Sequence, residues 1–208
     1  MMKKKAMTIL YRVHHNLYVN LTNRCPCACT FCLRQNMDTV SHEDDRSLWL
    51  EHEPSFEEIK EEFKKYNMSE FEEVVFCGYG EPTERLDMLL QVAAYVKKEF
   101  GCKTRVNTNG MADLIWERDT TPEFEGLIDT VSISLNTPNP EKYHELVRCK
   151  FGMKSFDAML TFAKNVRKYV SNVVLTTVDT TLTKEEEEEC RKICDSLGVI
   201  YRIRPWED

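Results

Sequence analysis

"NLYVNLTNRCPCACTFC", residues 16–32, joins a run of alternating apolar and polar residues to four cysteines within eight positions. The alternation over 16–22 predicts a β-strand. In parallel βα folds, the loops that follow the carboxyl ends of the strands build the functional site. The cysteine loop is therefore a candidate metal site at the edge of a sheet.

Strand and helix patterns alternate along the rest of the chain. Repeated βα units imply parallel strands joined by right-handed crossovers. An eight-unit barrel takes about 250 residues, roughly 30 per unit, so this length predicts about six units. An open doubly wound sheet has the same periodicity and stays an alternative at this point. The further strands are predicted over 71–78, 103–110, 127–136, 172–180 and 199–205.

Specific residues mark the ends of the predicted helices. Serine or threonine followed three residues later by glutamate is a capping box, and glycine is typical of the position after a helix. Asparagine before proline marks a helix start in the same way. These signals are Ser55 with Glu58, Asn139 with Pro140, Thr183 with Glu186, Gly101 and Gly198.

One face of several strands is polar. Parallel strands buried on both faces normally read as continuous apolar runs. Here Leu17, Val19 and Leu21 alternate with Asn20 and Thr22, and the other strands show similar alternation. A sheet curved around a polar, ligand-filled interior explains the pattern, whereas ordinary packing of serine and threonine is the alternative. The polar positions include Arg105, Asn107, Asn109, Ser132, Ser134, Asn136, Arg202 and Arg204.

Composition narrows the class of protein. The 208 residues are 42% hydrophobic, which predicts one globular domain over 1–208, with an irregular acidic insertion at about 37–53. A net charge of −7 argues against a general nucleic-acid surface. No signal peptide and no run of about 20 apolar residues are found, so we expect a soluble cytoplasmic protein without membrane contact. Nine cysteines in a reducing compartment indicate metal binding or catalysis rather than disulfides.

Three of the loop cysteines, Cys25, Cys29 and Cys32, have the spacing C-x3-C-x2-C. Iron–sulfur clusters take thiolate ligands from such closely spaced positions. Three thiolates on a four-iron cluster leave one iron free of protein, and an open position is where chemistry occurs. The extra Cys27 leaves two alternatives, a fourth cluster ligand or a four-cysteine zinc site.

The sequence resembles the radical S-adenosylmethionine superfamily in three motifs that come in the expected order. They are "CPCACTFC" after the first strand, "FCGYGEP" (76–82) after the second, and "NTNG" (107–110) at the third. The resemblance implies a partial (β/α)6 TIM-like barrel of parallel strands with a 4Fe–4S cluster on the three cysteines. It also implies that S-adenosylmethionine chelates the free iron.

Further residues receive cofactor roles by the same resemblance. Glu81, on the rim, would contact the amino group of S-adenosylmethionine, because a cation favours a carboxylate partner. Gly78 and Gly80 would let the backbone approach the cofactor, and Phe31 would lie beside the adenine. Additional candidate contacts to the cofactor are Asn107, Ser132, Ser134 and Asn136.

The whole pattern looks like the small radical S-adenosylmethionine proteins associated with TatD-family nucleases. It implies an enzyme that cleaves S-adenosylmethionine reductively and abstracts hydrogen from an unidentified small-molecule or protein substrate. A reductant such as flavodoxin or ferredoxin and a TatD-family nuclease are the implied partners. The alternatives are a 7-carboxy-7-deazaguanine synthase-like enzyme, an activator of a glycyl-radical enzyme, and a non-enzymatic iron–sulfur or zinc binding module.

The remaining candidate residues lie outside these motifs. Arg202 and Arg204 share one face of the last strand and predict a substrate with an anionic group; the alternatives are an internal ion pair, for example with Asp179, and simple exposure at the rim. Cys190 and Cys194 are spaced for a second metal site, but buried helix thiols are the expected interpretation. Three other cysteines, Cys77, Cys102 and Cys149, are expected to be isolated and structural.

Overall fold

A computed structural model describes residues 7–32 and 47–205. These residues form a seven-stranded sheet in which spatial order follows chain order. The first pair is antiparallel, and every later pair is parallel. The strands are β1 (Leu10–Val13), β2 (Asn16–Val19), β3 (Glu73–Phe76), β4 (Lys103–Thr108), β5 (Thr130–Ser134), β6 (Asn172–Val178) and β7 (Ile200–Arg204).

Helices connect the parallel strands, which places each strand's carboxyl end on the same side of the sheet. Within the described residues, the crossover between β5 and β6 contains two helices. The helices are α1 (Phe56–Phe63), α2 (Leu86–Phe100), α3 (Ala112–Trp116), α4 (Pro140–Val147), α5 (Lys154–Val166) and α6 (Lys184–Leu197), with 3-10 turns at Met68–Glu70, Pro82–Arg85 and Thr121–Phe124.

The predicted partial (β/α)6 barrel is confirmed: β2 to β7 are six parallel strands, and the sheet is not closed because β1 and β7 form its two edges. The prediction of six strands missed β1. This short strand pairs with β2 through a hairpin in which Leu10 lies opposite Val19, and His14 has a left-handed φ of 52° in the turn.

The helix ends match their sequence signals. Ser55 and Thr183 both make the reciprocal hydrogen bonds of a capping box, and Asn139 accepts from the backbone N–H of Lys142. Gly198 ends α6 in the left-handed conformation. The helix that ends at Gly101 is preceded by the 3-10 turn Pro82–Arg85, and the Glu81 side chain caps that turn by accepting a hydrogen bond from the Thr83 N–H.

The core lies between the outer face of the sheet and the helices. The predicted apolar face of β2, Leu17 and Val19, is completely buried, and Val131 and Ile133 of β5 are buried in the same way. Across the described residues, no helix is long and apolar enough to cross a membrane. The opposite, inner face of the sheet carries the polar side chains discussed next.

Residues 37–46 of the predicted insertion at 37–53 lie outside the described residues. Its described part, 47–53, has no helix or strand and packs against the base of the cysteine loop. The Asn23 side chain bonds both the backbone N–H and the carbonyl of Leu50, at 3.1 and 2.7 Å. The Thr22 hydroxyl donates to Glu53 at 2.6 Å, so this segment braces the strand end that leads into the cysteines.

Candidate active site

A cavity of about 270 Å³ lies at the carboxyl ends of the parallel strands. Every site residue predicted from the sequence lines it, although these residues come from five different strands or the loops that follow them. They are Cys25, Phe31, Cys29, Cys32, Gly78, Gly80, Glu81, Asn107, Ser132, Ser134, Asn136, Arg202 and Arg204. The structure therefore brings the whole predicted set together in one place.

The cysteine loop is fixed by the end of α4 and the residues that follow it. The backbone N–H groups of Ala28 and Thr30 donate to Val147 and Leu146 at 3.1 and 2.9 Å. The Lys150 N–H donates to the Pro26 carbonyl at 2.8 Å. These three backbone hydrogen bonds fix the loop against residues 146–150 and position its thiols at the cavity wall.

The four loop thiols have two different environments. All four line the cavity, but Cys25, Cys29 and Cys32 are partly exposed, whereas Cys27 is 6% exposed. The Cys27 thiol is in hydrogen-bonding contact with Cys149, Cys25 and Cys29, and these contacts and its burial raise its pKa. The expectation that Cys149 is isolated is therefore wrong. The hydrogen bond from Cys27 lowers the Cys149 pKa to about 7.

The residues around the cavity fit a 4Fe–4S cluster and S-adenosylmethionine. Three part-exposed thiols are the donor set of a cluster with one iron open to a further ligand. Two buried polar atoms of the cavity lining, Tyr143 Oη and Asn107 Oδ1, have no hydrogen-bond partner among the described residues. Because buried polar groups are normally satisfied, these two atoms indicate a polar ligand in the cavity.

The zinc alternative receives no support from the geometry. Within 7–32 and 47–205, no three histidine, cysteine, aspartate or glutamate side chains are arranged to hold a single metal ion. In particular, Cys190 and Cys194 are fully buried in the core on α6. Burial raises their pKa values to about 11 and about 12, as expected for thiols that pack as small apolar groups.

Glu81 is buried, with 4% of its surface exposed, and the prediction that it lies on the rim is wrong. Its Oε1 accepts hydrogen bonds from the Thr83 backbone N–H, the Thr83 hydroxyl and the Thr108 hydroxyl, at 3.2, 2.8 and 2.7 Å. Its Oε2 accepts from the Asn109 N–H at 2.8 Å. Burial raises the pKa of this carboxyl, while the hydrogen bonds oppose the shift.

The Glu81 carboxylate therefore has a structural role: it ties the loop after β3 to the end of β4. A carboxylate has about four lone-pair sites, two on each oxygen. Three donors converge on Oε1 and one on Oε2, so Oε2 retains acceptor capacity toward the cavity. Glu81 can therefore keep its structural hydrogen bonds and still accept one from a cationic amino group, as predicted.

The two glycines of "GYG" are explained by neighbouring protein atoms. A Cβ at Gly78 would lie 2.0 Å from Asn20 Oδ1, and a Cβ at Gly80 would lie 2.2 Å from the Thr22 carbonyl oxygen. The second contact is to backbone and cannot be relieved by a side-chain rotation. Gly80 thus allows the loop after β3 to pack on the residues that lead into Cys25.

Sequence reasoning missed several residues of the cavity lining. Cys77, expected to be isolated, follows β3 and faces the cavity, and the Tyr11 hydroxyl donates to its carbonyl oxygen at 3.1 Å. Tyr143 lies on α4 at a position whose helical spacing indicates only core packing. Thr176 of β6 also lines the cavity, and the sequence of this strand does not alternate in a way that would reveal it.

Solved structures with the same fold support this assignment of the architecture. SuiB of Streptococcus suis bound to S-adenosylmethionine matches with a TM-score of 0.61 and 18% identity, covering 93% of this chain and 39% of that one. SuiB bound to precursor peptide SuiA matches with a TM-score of 0.62 and 18% identity, covering 95% of this chain and 40% of that one. A radical SAM methyltransferase from Sphaerobacter thermophilus matches with a TM-score of 0.64 and 15% identity, covering 94% of this chain and 57% of that one.

At these identities the likeness establishes the fold, and the chain spans about two fifths of the length of SuiB. No curated protein matches the chain. The family profile described as the radical SAM superfamily matches residues 19–197, which is most of the sequence. Members of that superfamily are enzymes that use the two cofactors predicted above, a 4Fe–4S cluster and S-adenosylmethionine. The chain belongs to the radical SAM superfamily.

Proposed function

We propose that this single domain, spanning residues 1–208, is a radical S-adenosylmethionine enzyme with its active site in the cavity at the carboxyl ends of β2 to β7. The observation that carries the proposal is the convergence of the predicted cysteines and cofactor contacts on that one cavity. When bound, the reduced cluster and S-adenosylmethionine supply a 5′-deoxyadenosyl radical that abstracts hydrogen from a substrate.

Each group of residues has a distinct task in this proposal. Cys25, Cys29 and Cys32 hold the cluster, and the backbone hydrogen bonds from α4 keep their loop in place. Glu81 Oε2 accepts from the amino group of S-adenosylmethionine. Phe31, 43% exposed at the cavity, covers the adenine and helps to exclude water.

The inner faces of β4 and β5 orient the cofactor. Asn107 and Ser132 lie side by side in the pairing of these two strands, and Ser134 follows on the same face. Asn136 lies two residues after the end of β5 and has a left-handed φ of 64°, a conformation that asparagine tolerates better than most residues. These four side chains offer hydrogen bonds to the ribose and amino-acid groups of S-adenosylmethionine.

Anaerobic reconstitution with iron, sulfide and dithionite tests the proposed function. The wild-type protein should convert S-adenosylmethionine into 5′-deoxyadenosine and methionine, measured by liquid chromatography and mass spectrometry. Cys29→Ala should abolish this cleavage, whereas Cys102→Ala, whose thiol contacts the Phe100 carbonyl and does not line the cavity, should retain it. A wild-type protein that assembles its cluster but forms no 5′-deoxyadenosine would refute the proposal.

The substrate and the partners are further parts of the proposal. Deuterium transfer from a labelled metabolite or peptide extract into 5′-deoxyadenosine would identify the substrate class. We propose flavodoxin or ferredoxin as the cytoplasmic reductant. The sequence resemblance supports a TatD-family nuclease as a partner, and sedimentation of the two purified proteins together would test for a complex.

A further inference from the structure

Two arginines of β7 reach the cavity from the edge of the sheet. Arg202 and Arg204 both line it, and the strand pairing places them opposite Thr176 and Val178 of β6. The other face of β7 is fixed by Tyr201, whose hydroxyl hydrogen-bonds Thr177 at 2.7 Å. The strand register therefore holds both guanidinium groups on the cavity side.

Among the described residues, neither arginine forms a salt bridge, and the carboxylate of Glu73 attracts Arg202 only at longer range. Glu73 forms its ion pair with Arg105, at 3.1 Å between Oε2 and Nε. Asp179, the alternative considered from the sequence, meets Arg204 only through its backbone N–H, which donates to the Arg204 carbonyl at 2.8 Å. Its Oδ1 instead accepts from the Thr180 N–H at 2.8 Å.

The surroundings make this end of the cavity cationic in a chain whose net charge is −7. Arg202 donates only a long hydrogen bond, 3.5 Å from Nη2 to Ser132 Oγ. Both arginines are exposed at the rim of the cavity, and partial burial and the positive charges of Arg105 and Arg204 lower the Arg202 pKa, whereas Glu73 opposes this shift. A bound anion would compensate the two like charges, and the planar guanidinium group matches the geometry of carboxylate and phosphate oxygens.

We propose that Arg202 and Arg204 form the substrate's anion-binding site, and that the substrate therefore carries a carboxylate or a phosphate group. The inference rests on the proposed function and adds the substrate class. In strand order, β7 is the parallel strand furthest from β2 and β3, whose loops carry the cysteines and Glu81. Across the cavity, Arg202 lies beside Ser132, which the proposed function assigns to the cofactor, so the two anionic groups must be distinguished by experiment.

S-adenosylmethionine also has a carboxylate, so the test must separate the two sources of negative charge. The first arm measures the dissociation constant of S-adenosylmethionine for the reconstituted wild-type protein, Arg204→Gln and Arg12→Gln. Arg12 is the matched control because it lies on the opposite edge strand and pairs with Glu70. The proposal expects all three constants to agree within about twofold.

The second arm uses wild-type protein saturated with S-adenosylmethionine and needs no substitution. The protein is labelled with phenylglyoxal in the presence of inorganic phosphate, succinate or uncharged succinamide. Mass spectrometry then measures the rate of labelling at each arginine. Phosphate or succinate should slow labelling of Arg202 and Arg204 by about threefold or more, the effect of two-thirds occupancy. Succinamide should have no effect, and Arg12 should label equally in all samples.

Each outcome decides a specific point. A tenfold weaker affinity for S-adenosylmethionine in Arg204→Gln would assign the site to the cofactor's carboxylate and overturn the proposal. Absence of protection by either anion would overturn it as well. Failure of the proposed function is visible separately, because the wild-type protein would then not bind or cleave S-adenosylmethionine. If Arg204→Gln does not fold, Arg204→Lys replaces it in the first arm and keeps the charge.

Discussion

The thiols of Cys27 and Cys149 are in hydrogen-bonding contact where the cysteine loop packs on the segment after α4. Both residues are nearly fully buried, at 6% and 5% exposure, unlike the three cysteines spaced as cluster ligands. The contact gives the extra cysteine of the loop a partner within the protein. It supports a cluster held by three thiolates, with Cys27 as a packing residue.

We expect Cys27→Ala to retain most of the four-iron cluster, whereas Cys25→Ala, Cys29→Ala and Cys32→Ala should each lose it. The physical reason is that a ligand supplies a thiolate to iron, while Cys27 supplies a buried contact. Iron content and the electron paramagnetic resonance signal of the reduced protein measure the difference. Equal loss in all four variants would show that Cys27 is a ligand and that no iron is left open.

Glu81→Gln should weaken S-adenosylmethionine binding by about tenfold or more, since hydrogen bonds to charged groups contribute about 1.5–3 kcal/mol. It should also lower the melting temperature, because a glutamine NH2 group placed at Oε2 cannot accept from the Asn109 N–H. Isothermal titration and thermal unfolding measure the two effects in parallel.

Thr83→Val is the matched control for that variant. It removes the hydroxyl that donates to Glu81 at 2.8 Å, yet Thr83 does not line the cavity. The control should therefore lose stability and keep its affinity for S-adenosylmethionine. If Glu81→Gln behaves in the same way, Glu81 only ties the two loops together and does not bind the cofactor.

Local sequence signals predicted the parallel architecture and the position of the cavity well. Capping residues such as Ser55 and Thr183 act within one turn, so their effect is visible in the sequence. The four-residue strand β1 has no such signal, because its stability comes from pairing with β2. The contact of Cys149 with Cys27 and the burial of Glu81 depend on how distant segments pack, which spacing alone does not reveal.

Gly80→Ala should destabilise the protein by about 1–3 kcal/mol, the range for overpacking at a site that cannot relax. Its Cβ would lie 2.2 Å from the Thr22 oxygen and 2.6 Å from the Arg24 oxygen, directly before Cys25. Iron incorporation should fall together with the melting temperature. Gly101→Ala, with a left-handed φ of 64° but open space around the Cβ, should cost stability without affecting iron content.

Cys190 and Cys194 should resist alkylation by iodoacetamide at pH 8 in the native protein. Both are fully buried, and burial raises their pKa values to about 11 and about 12, so almost no thiolate is present at that pH. Cys102, which is partly exposed, should react before Cys190 and Cys194. Peptide mass spectrometry measures the order of alkylation. If Cys190→Ser binds less metal than the wild-type protein, the two cysteines instead form a second metal site.

Tyr143→Phe should shift the reduction potential of the cluster to a more negative value. The Tyr143 side chain is fully buried and lines the cavity beside the cysteine loop, and its hydroxyl has no hydrogen-bond partner among the described residues. We expect this hydroxyl to donate to a sulfur of the bound cluster, because hydrogen bonds to the sulfurs are among the factors that set the potential. Removing the donor makes the reduced, more negative cluster less stable.

Redox titration followed by electron paramagnetic resonance measures the potential, and Tyr95→Phe, on α2 outside the cavity, is the control. An unchanged potential in Tyr143→Phe would mean that this hydroxyl meets another ligand in the cavity.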